Sequence, residues 1–127
     1  MQQLLLVGIG GFAGALLRYA VSGWAQNVSR SIDFPYGTLA VNVVGCFFIG
    51  ALSQLIDIQA GISAHLRLLL MVGLLGSFTT YSTFGNETFA LLRDRQVVLA
   101  LVNVCAHLFF GLSAVLLGRL TVFAIWR

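Results

Sequence analysis

The chain has little charge, one proline and no lysine. Only 9% of its 127 residues are charged, and all seven basic residues are arginines. A soluble domain carries roughly 25% charged residues, because water must wet its surface. This chain has too few charges to cover a globule, whereas 59% of its residues are apolar. The composition excludes an ordinary soluble domain and predicts one transmembrane domain, residues 1–127, in a lipid bilayer.

Missing motifs exclude further classes of function. No run of basic residues suits nucleic acid, so no nucleic-acid partner is expected. Cys46 and Cys105 stand far apart in apolar stretches without metal-ligand spacing, and we interpret them as packing residues. No nucleophile–base pair or nucleotide-binding loop is present, so we expect neither an enzyme nor a pump. The first apolar stretch lacks a basic start and a small-residue cleavage site, which favours a retained helix over a signal peptide.

Four long stretches almost free of charge predict an all-α membrane protein with four transmembrane helices. A helix needs roughly 20 apolar residues to cross a hydrocarbon core of about 30 Å. The predicted spans cover about residues 2–25, 34–56, 66–92 and 96–122. Pro35 suits a helix start, because a first-turn N–H has no helical acceptor. Gly10 and Gly14 have the GxxxG spacing that lets two helices approach closely.

The arginines give no clear orientation in the membrane. With four spans, both ends of the chain lie on one side, and the loop arginines divide evenly between the sides: Arg67, Arg119 and Arg127 against Arg30, Arg93 and Arg95. Positive residues normally mark the cytoplasmic side. The balance predicts insertion in both orientations and assembly as an antiparallel pair; the alternative is that one arginine decides the orientation weakly. Such a pair would have the inverted-repeat geometry common in transport proteins.

The third span contains the strongest functional pattern. Glycines at 73 and 76 lead into five Ser or Thr residues within residues 77–83. Hydroxyls compete for backbone hydrogen bonds and β-branched Thr disfavours helix, so we predict a break in the third helix. Irregular backbone at membrane depth is tolerated where it is buried or lines a cavity, and its freed groups can bind ions. The alternative is a polar stripe that serves packing.

Other polar residues within the spans are candidates for the same site. Thr38 and Asn42 share one face of the second span, where the Asn42 amide could donate to an anion or join two helices. Tyr81 and Phe84 share a face of the third span and present electropositive ring edges. Arg18, Asn103 and His107 are left open between a pore and a structural role, the last two continuing to Gly111 at helical spacing. Glu87 is left open between a hydrogen bond to the hydroxyl run of its own span and a solvated position at the interface.

Three segments carry a resemblance to a known family. They are residues 14–19 (GALLRY), residues 37–42 (GTLAVN) with Gly45 beyond them, and residues 73–84 (GLLGSFTTYSTF). Together they resemble the Fluc (CrcB) fluoride channel family, over essentially the whole chain. The resemblance implies a passive, fluoride-selective channel in the bacterial inner membrane. It also implies an antiparallel, dual-topology homodimer with two pores, a broken third helix and a structural sodium ion at the dimer centre.

The resemblance also assigns roles to residues. Backbone carbonyls of Gly76 and Thr79 from both copies would bind the sodium ion, and Arg18 would lie in the vestibule. Pore-lining residues would be Asn42, Tyr81, Phe84, Thr38, Ser82, Thr83 and His107. A polar track would include Glu87 and Asn103.

Two departures from the family and two rival functions stand beside this interpretation. Tyr81 takes a position where the family usually has Phe, and His107 and Gly111 replace small hydroxyl or amide residues of the fourth span. One rival is a small dual-topology exporter of cations or drugs, which would need a carboxylate deep in the membrane. Glu87 comes late in its span for that role. The other rival is a non-conducting structural subunit of the membrane.

Overall fold

The computed structural model of the chain describes residues 1–59 and 62–126, and it is all-helical within those ranges. Four helical spans are long and apolar enough to cross a membrane: Gln2–Ser29, Tyr36–Ile58, Ala64–Arg93 and Val97–Ile125. The predicted all-α fold with four spans is confirmed. Arg127, which enters the charge balance, and residues 60–61 of the second connection lie outside the described residues.

The third span is assembled from several helical pieces. A short α3 (Ala64–Arg67) continues as a π-helix (Leu68–Leu75) and a single α-helical turn, α4 (Gly76–Phe78). After Thr79 and Thr80, α5 runs over Tyr81–Arg93. The other spans are continuous: α1 (Gln2–Ser29), α2 (Tyr36–Ile58) and α6 (Val97–Ile125). The predicted break is therefore confirmed, whereas the π-helix before it was not predicted.

The first helix extends further than the sequence pattern indicates. It reaches Ser29 instead of ending near residue 25. The polar residues at this end resemble a loop in sequence, but the Ser29 hydroxyl donates to the Gln26 carbonyl (2.8 Å) inside the last turn. The helix ends where Arg30 adopts a left-handed conformation with φ 52°. The last helix likewise continues through Ile125 instead of ending near residue 122.

Glycines bring α1 directly against the third span. A Cβ atom on Gly10 would meet the carbonyl oxygen of Leu69, and one on Gly14 would meet that of Leu74. Backbone therefore packs on backbone, which is the close approach that GxxxG spacing permits. The predicted contact at Gly10 and Gly14 is confirmed.

The second and last helices form a similar close pair. A Cβ atom on Gly50 would meet the Val115 carbonyl, and one on Gly118 would meet the Phe47 carbonyl. Large apolar side chains such as Phe12 and Phe109 stay exposed on the outside of the bundle, at 71% and 68%. An apolar exterior of this kind suits lipid, in which backbone groups are satisfied within helices.

Candidate functional site: a broken helix between two cavities

The third span breaks at two extended residues. Thr79 has φ −80° and ψ 156°, and Thr80 has φ −149° and ψ 110°. The Thr80 hydroxyl then caps α5 by accepting from the Thr83 N–H at 3.2 Å. Threonine is a favoured residue at this position because its oxygen satisfies a first-turn N–H. The hydroxyl run therefore both interrupts one helix and starts the next.

Asn42 of α2 holds the break from the side. Its Oδ1 accepts from the Thr80 N–H at 2.8 Å, and its Nδ2 donates to the Thr80 carbonyl at 3.1 Å. Thr80 is buried, so both of its backbone groups need partners away from water. One amide side chain supplies both partners, and Asn42 joins two spans in the way that one of its two sequence interpretations predicted.

The same bonds release two carbonyl groups. In an unbroken helix, Gly76 O would accept from Thr80 N–H and Thr79 O from Thr83 N–H. Here the Thr80 N–H donates to Asn42 and the Thr83 N–H donates to the Thr80 hydroxyl. The carbonyls of Gly76 and Thr79 therefore lose their usual donors, which fits the sodium ligands predicted at these positions.

A smaller cavity of about 370 Å³ opens beside the break. Asn42, Thr79, Tyr81, Phe84 and His107 are among its lining residues. The Tyr81 and Phe84 ring centroids are 5.6 Å apart, and those of Phe84 and His107 are 4.3 Å apart. The cavity thus combines aromatic rings with amide, hydroxyl and imidazole groups, and it contains no carboxylate or guanidinium among its lining residues.

A larger cavity of about 870 Å³ shares the lining residue Thr80 with the smaller one. Arg18, Thr38, Thr83 and Glu87 also line the larger one. Arg18 forms no ion pair or hydrogen bond with the part of the chain that the structure describes. It is the one basic residue among the described lining residues, which also include the carboxylates of Asp33, Glu87 and Asp94, so it offsets part of their negative charge.

Glu87 bonds across to the second span. The Thr38 hydroxyl donates to Glu87 Oε1 at 2.7 Å, whereas Glu87 Oε2 is buried and has no hydrogen-bond partner. The sequence leaves open a bond between Glu87 and the hydroxyl run of its own span, or a solvated position at the interface. The structure instead places its bond on Thr38, one turn before Asn42 on the same face of α2.

The polar positions of α6 face α5. Asn103 Nδ2 donates to the Thr88 hydroxyl at 2.9 Å. His107 Nδ1 lies 2.9 Å from the Asn103 carbonyl, and because a carbonyl can only accept, Nδ1 carries the hydrogen. His107 Nε2 is buried without a partner. Asn103 and His107 therefore share one polar stripe, as their spacing predicts.

The structure brings most of the predicted site residues together and leaves others aside. Ser82 lines neither cavity, although its hydroxyl lies 3.4 Å from that of Thr80. Asn103 also lines neither cavity, because it is fully buried between helices. In a single chain most of the predicted residues therefore line a cavity, whereas Ser82 and Asn103 bond to neighbouring residues without lining one.

Sequence reasoning missed two polar residues that organise the site. Gln26 joins α1 to α2 by donating to the carbonyls of Ser31 and Phe34 and by accepting from the Gly37 N–H. Thr88 stands between Asn103 and the backbone of α5. In the sequence, Thr88 follows Phe84 by four residues and so shares one face of α5 with it. Only the structure shows that this face packs against Asn103 of α6.

A bundle of four apolar spans, whose polar groups converge on a broken helix between two cavities, defines a multi-pass membrane protein of the channel and transporter class. Residues 5–119 match the family described as CrcB-like protein, Camphor Resistance (CrcB). The chain therefore belongs to the CrcB family.

Several curated relatives are similar over nearly their whole length. The chain is 47% identical over 121 residues to the fluoride-specific ion channel FluC 1 of Methanosarcina acetivorans, an alignment that covers 95% of this chain and 91% of that protein. It is 46% identical over 119 residues to FluC 3 of Methanosarcina barkeri, covering 94% and 89%. It is 44% identical over 124 residues to a fluoride-specific ion channel of a Shewanella species, covering 98% of each. These relatives are channels and not enzymes, in agreement with the expectation from the sequence.

Proposed function

We propose that this protein is a passive, fluoride-selective channel of the bacterial inner membrane that carries fluoride out of the cytoplasm. The observation that carries the proposal is the smaller cavity at the helix break, where Asn42, Tyr81 and Phe84 converge. Family membership supports the same function, since relatives at 44–47% identity are named fluoride-specific ion channels. No nucleotide or second substrate enters the mechanism.

The chemical difficulty for such a channel is dehydration. Fluoride is small and strongly hydrated, so a pore must replace its water and still release the ion. In the first turn of α5, the N–H groups of Tyr81 and Ser82 lack helical acceptors and favour an anion, whereas that of Thr83 already bonds to the Thr80 hydroxyl. Ring edges of Tyr81 and Phe84 add weaker positive potential. These donors offer no fixed full charge that would trap the ion, so conduction can be fast.

The larger cavity serves as the vestibule in this mechanism. Arg18 offsets part of the negative charge that the carboxylates give this cavity, and Thr38 and Thr83 lie along its wall toward Thr80, which lines both cavities. Hydrogen fluoride enters a cell as the neutral acid and ionises inside. A negative membrane potential then drives the anion out, with about 2.3 kcal/mol available per 100 mV.

The working unit in this proposal is an antiparallel homodimer with two pores. The Tyr81 side chain, a pore candidate, is 83% exposed in the single chain and needs a further wall. A second copy in the opposite orientation, which the even division of arginines allows, would supply this wall. Gly76 is also exposed and adjoins the smaller cavity. The carbonyls of Gly76 and Thr79 from both copies would then surround one sodium ion, which holds the two broken helices together.

Anion efflux from liposomes tests the channel directly. Purified protein is reconstituted with a potassium/valinomycin shunt, and fluoride release is compared with chloride release. We expect rapid fluoride release and no chloride release. Absence of both fluxes from folded, dimeric protein would contradict the proposal and favour a structural subunit. Transport of organic cations driven by pH would favour the exporter.

The sodium ion is tested by exchange. Protein prepared in N-methylglucamine without sodium should lose flux, and sodium added back should restore it. Dimer content measured by cross-linking should follow the same pattern. Full flux in sodium-free medium, with residual sodium excluded by elemental analysis, would remove the ion from the proposal and leave the channel intact.

A further inference from the structure

Asn103 is the most deeply buried polar residue that the permeation path does not use. It is 0% exposed, yet it lines neither cavity. Its Oδ1 atom is buried without a hydrogen-bond partner. A buried amide with an unsatisfied oxygen costs stability, which an apolar residue of similar size would not. Packing alone therefore accounts poorly for asparagine at this position.

One side of Asn103 leads to the backbone of Phe84. Asn103 Nδ2 donates to the Thr88 hydroxyl at 2.9 Å, and the Thr88 hydroxyl donates to the Phe84 carbonyl at 2.7 Å. The order of donors is fixed, because a carbonyl can only accept and an amide nitrogen can only donate. The chain of bonds thus ties α6 to the turn of α5 that carries the Phe84 ring.

The backbone carbonyl of Asn103, rather than its side chain, bonds to the imidazole of His107. His107 Nδ1 donates to the Asn103 carbonyl at 2.9 Å. The His107 ring in turn contacts the Phe84 ring, with centroids 4.3 Å apart at an interplanar angle of 44°. Asn103 is therefore linked to Phe84 through Thr88 and to His107 through its own backbone carbonyl, and both rings line the smaller cavity.

We propose that Asn103 and Thr88 are a positioning pair that sets the distance and tilt between Phe84 and His107, and so the width of the smaller cavity. The inference rests on the proposed channel function. Neither residue touches the ion in this proposal. Networks in which each donor polarises the next hold their members more firmly than separate bonds do, and a fixed ring edge can replace part of the water around a small anion only while its position is kept.

The test compares substitutions at Thr88. Thr88→Val keeps the shape and removes the hydroxyl, whereas Thr88→Ser keeps the hydroxyl. The matched control is Thr121→Val, because Thr121 makes the same type of bond, to the Leu117 carbonyl at 2.8 Å, at an exposed site on α6. We expect Thr88→Val to lower fluoride flux about tenfold per dimer, equivalent to ~1.4 kcal/mol of barrier. Thr88→Ser and Thr121→Val should stay within about twofold of the wild type, less than ~0.5 kcal/mol of barrier.

A second readout does not depend on flux. The chain has two histidines, His65 and His107, so ¹⁵N spectra of the imidazoles can be assigned with a His65→Gln variant. We expect the His107 nitrogens to shift in Thr88→Val and to remain in place in Thr121→Val. Asn103→Leu removes the side-chain donor to the Thr88 hydroxyl, and it provides a second variant if Thr88→Val does not fold.

The outcomes separate the two proposals. Wild-type protein without fluoride flux would reject the channel, whatever the spectra show. Wild-type flux together with unchanged flux and unchanged His107 signals in folded Thr88→Val and Asn103→Leu would overturn the positioning pair alone. A uniform loss of thermal stability with unaltered flux would show that the two residues serve packing, and would overturn it as well.

Discussion

Asn42 offers its donor and its acceptor to one residue, Thr80, which is 38 positions away in the sequence. The spacing of Thr38 and Asn42 indicates a polar face of α2, and the structure confirms that both side chains bond to the third span. The partner of Asn42 could not be deduced, because the backbone groups of Thr80 become free only where the helix is broken. The same holds for Glu87, whose bond to Thr38 depends on the angle at which two helices meet.

Replacing Asn42 should weaken both structure and conduction. Asn42→Ala removes two hydrogen bonds to the buried backbone of Thr80, each worth ~1 kcal/mol, and leaves groups unpaired at a further cost of about 1–3 kcal/mol. We expect a loss of stability of roughly 2–4 kcal/mol in unfolding experiments in detergent, and a fall in fluoride flux. Asn27→Ala, at an exposed position near the end of α1, should change neither. Equal stability of the two variants would show that Asn42 is not what holds the break.

The aromatic character of Phe84 should matter more than its size. Phe84→Leu keeps an apolar side chain but removes the ring that faces Tyr81 and His107. Because the ring edge is a proposed substitute for water, we expect fluoride flux in liposomes to fall by at least about tenfold, or ~1.4 kcal/mol of barrier. Phe109→Leu changes a ring on the outer surface and should conduct like the wild type. Normal flux in Phe84→Leu would remove ring edges from the mechanism.

At the scale of elements, the third span shows what a sequence pattern can and cannot predict. The hydroxyl run predicts the break because local competition for backbone hydrogen bonds acts within a few residues. The preceding Leu68–Leu75 segment is a π-helix, and nothing in its apolar sequence distinguishes it from an α-helix. Its wider turn lies where the carbonyls of Leu69 and Leu74 meet glycines of α1, so contact between spans is the physical setting of the difference.

Replacing either of two glycines of α1 with alanine should change the stability of the protein in opposite directions. Gly10→Ala places a methyl group against backbone atoms of Leu69 and Leu74, and overpacking of this kind costs about 1–3 kcal/mol. Gly8 has nothing within 4 Å of the added carbon, so Gly8→Ala should raise stability by roughly 0.5–1 kcal/mol through helix propensity. Thermal unfolding in detergent measures both. A neutral Gly10→Ala would mean that α1 and the third span are further apart than described.

At the scale of the whole molecule, the two sides of the bundle remain almost indistinguishable by charge. The even division of arginines predicts two orientations, and the proposed antiparallel dimer needs both. One added charge on either side should therefore matter more here than in a protein with a strong bias.

A single added arginine should make the chain insert into the membrane mainly in one orientation. Asn27→Arg adds a charge on the side of Arg30, and Gln59→Arg adds one on the opposite side. Each variant alone should insert mainly one way, as reported by a C-terminal topology tag, and should lose fluoride resistance in cells. Co-expression of the two variants should restore resistance. Full activity of each variant alone would contradict an antiparallel unit.

The close pairing of α2 with α6 through Gly50 and Gly118 also has a consequence for synthesis on the ribosome. The second helix enters the membrane early, yet the helix that covers its glycine face is made after the entire broken span. Until then the insertion machinery or surrounding lipid must shield that face. A chain whose synthesis stops before residue 118 therefore lacks the contact between Gly118 and α2, and its second helix stays uncovered on that side.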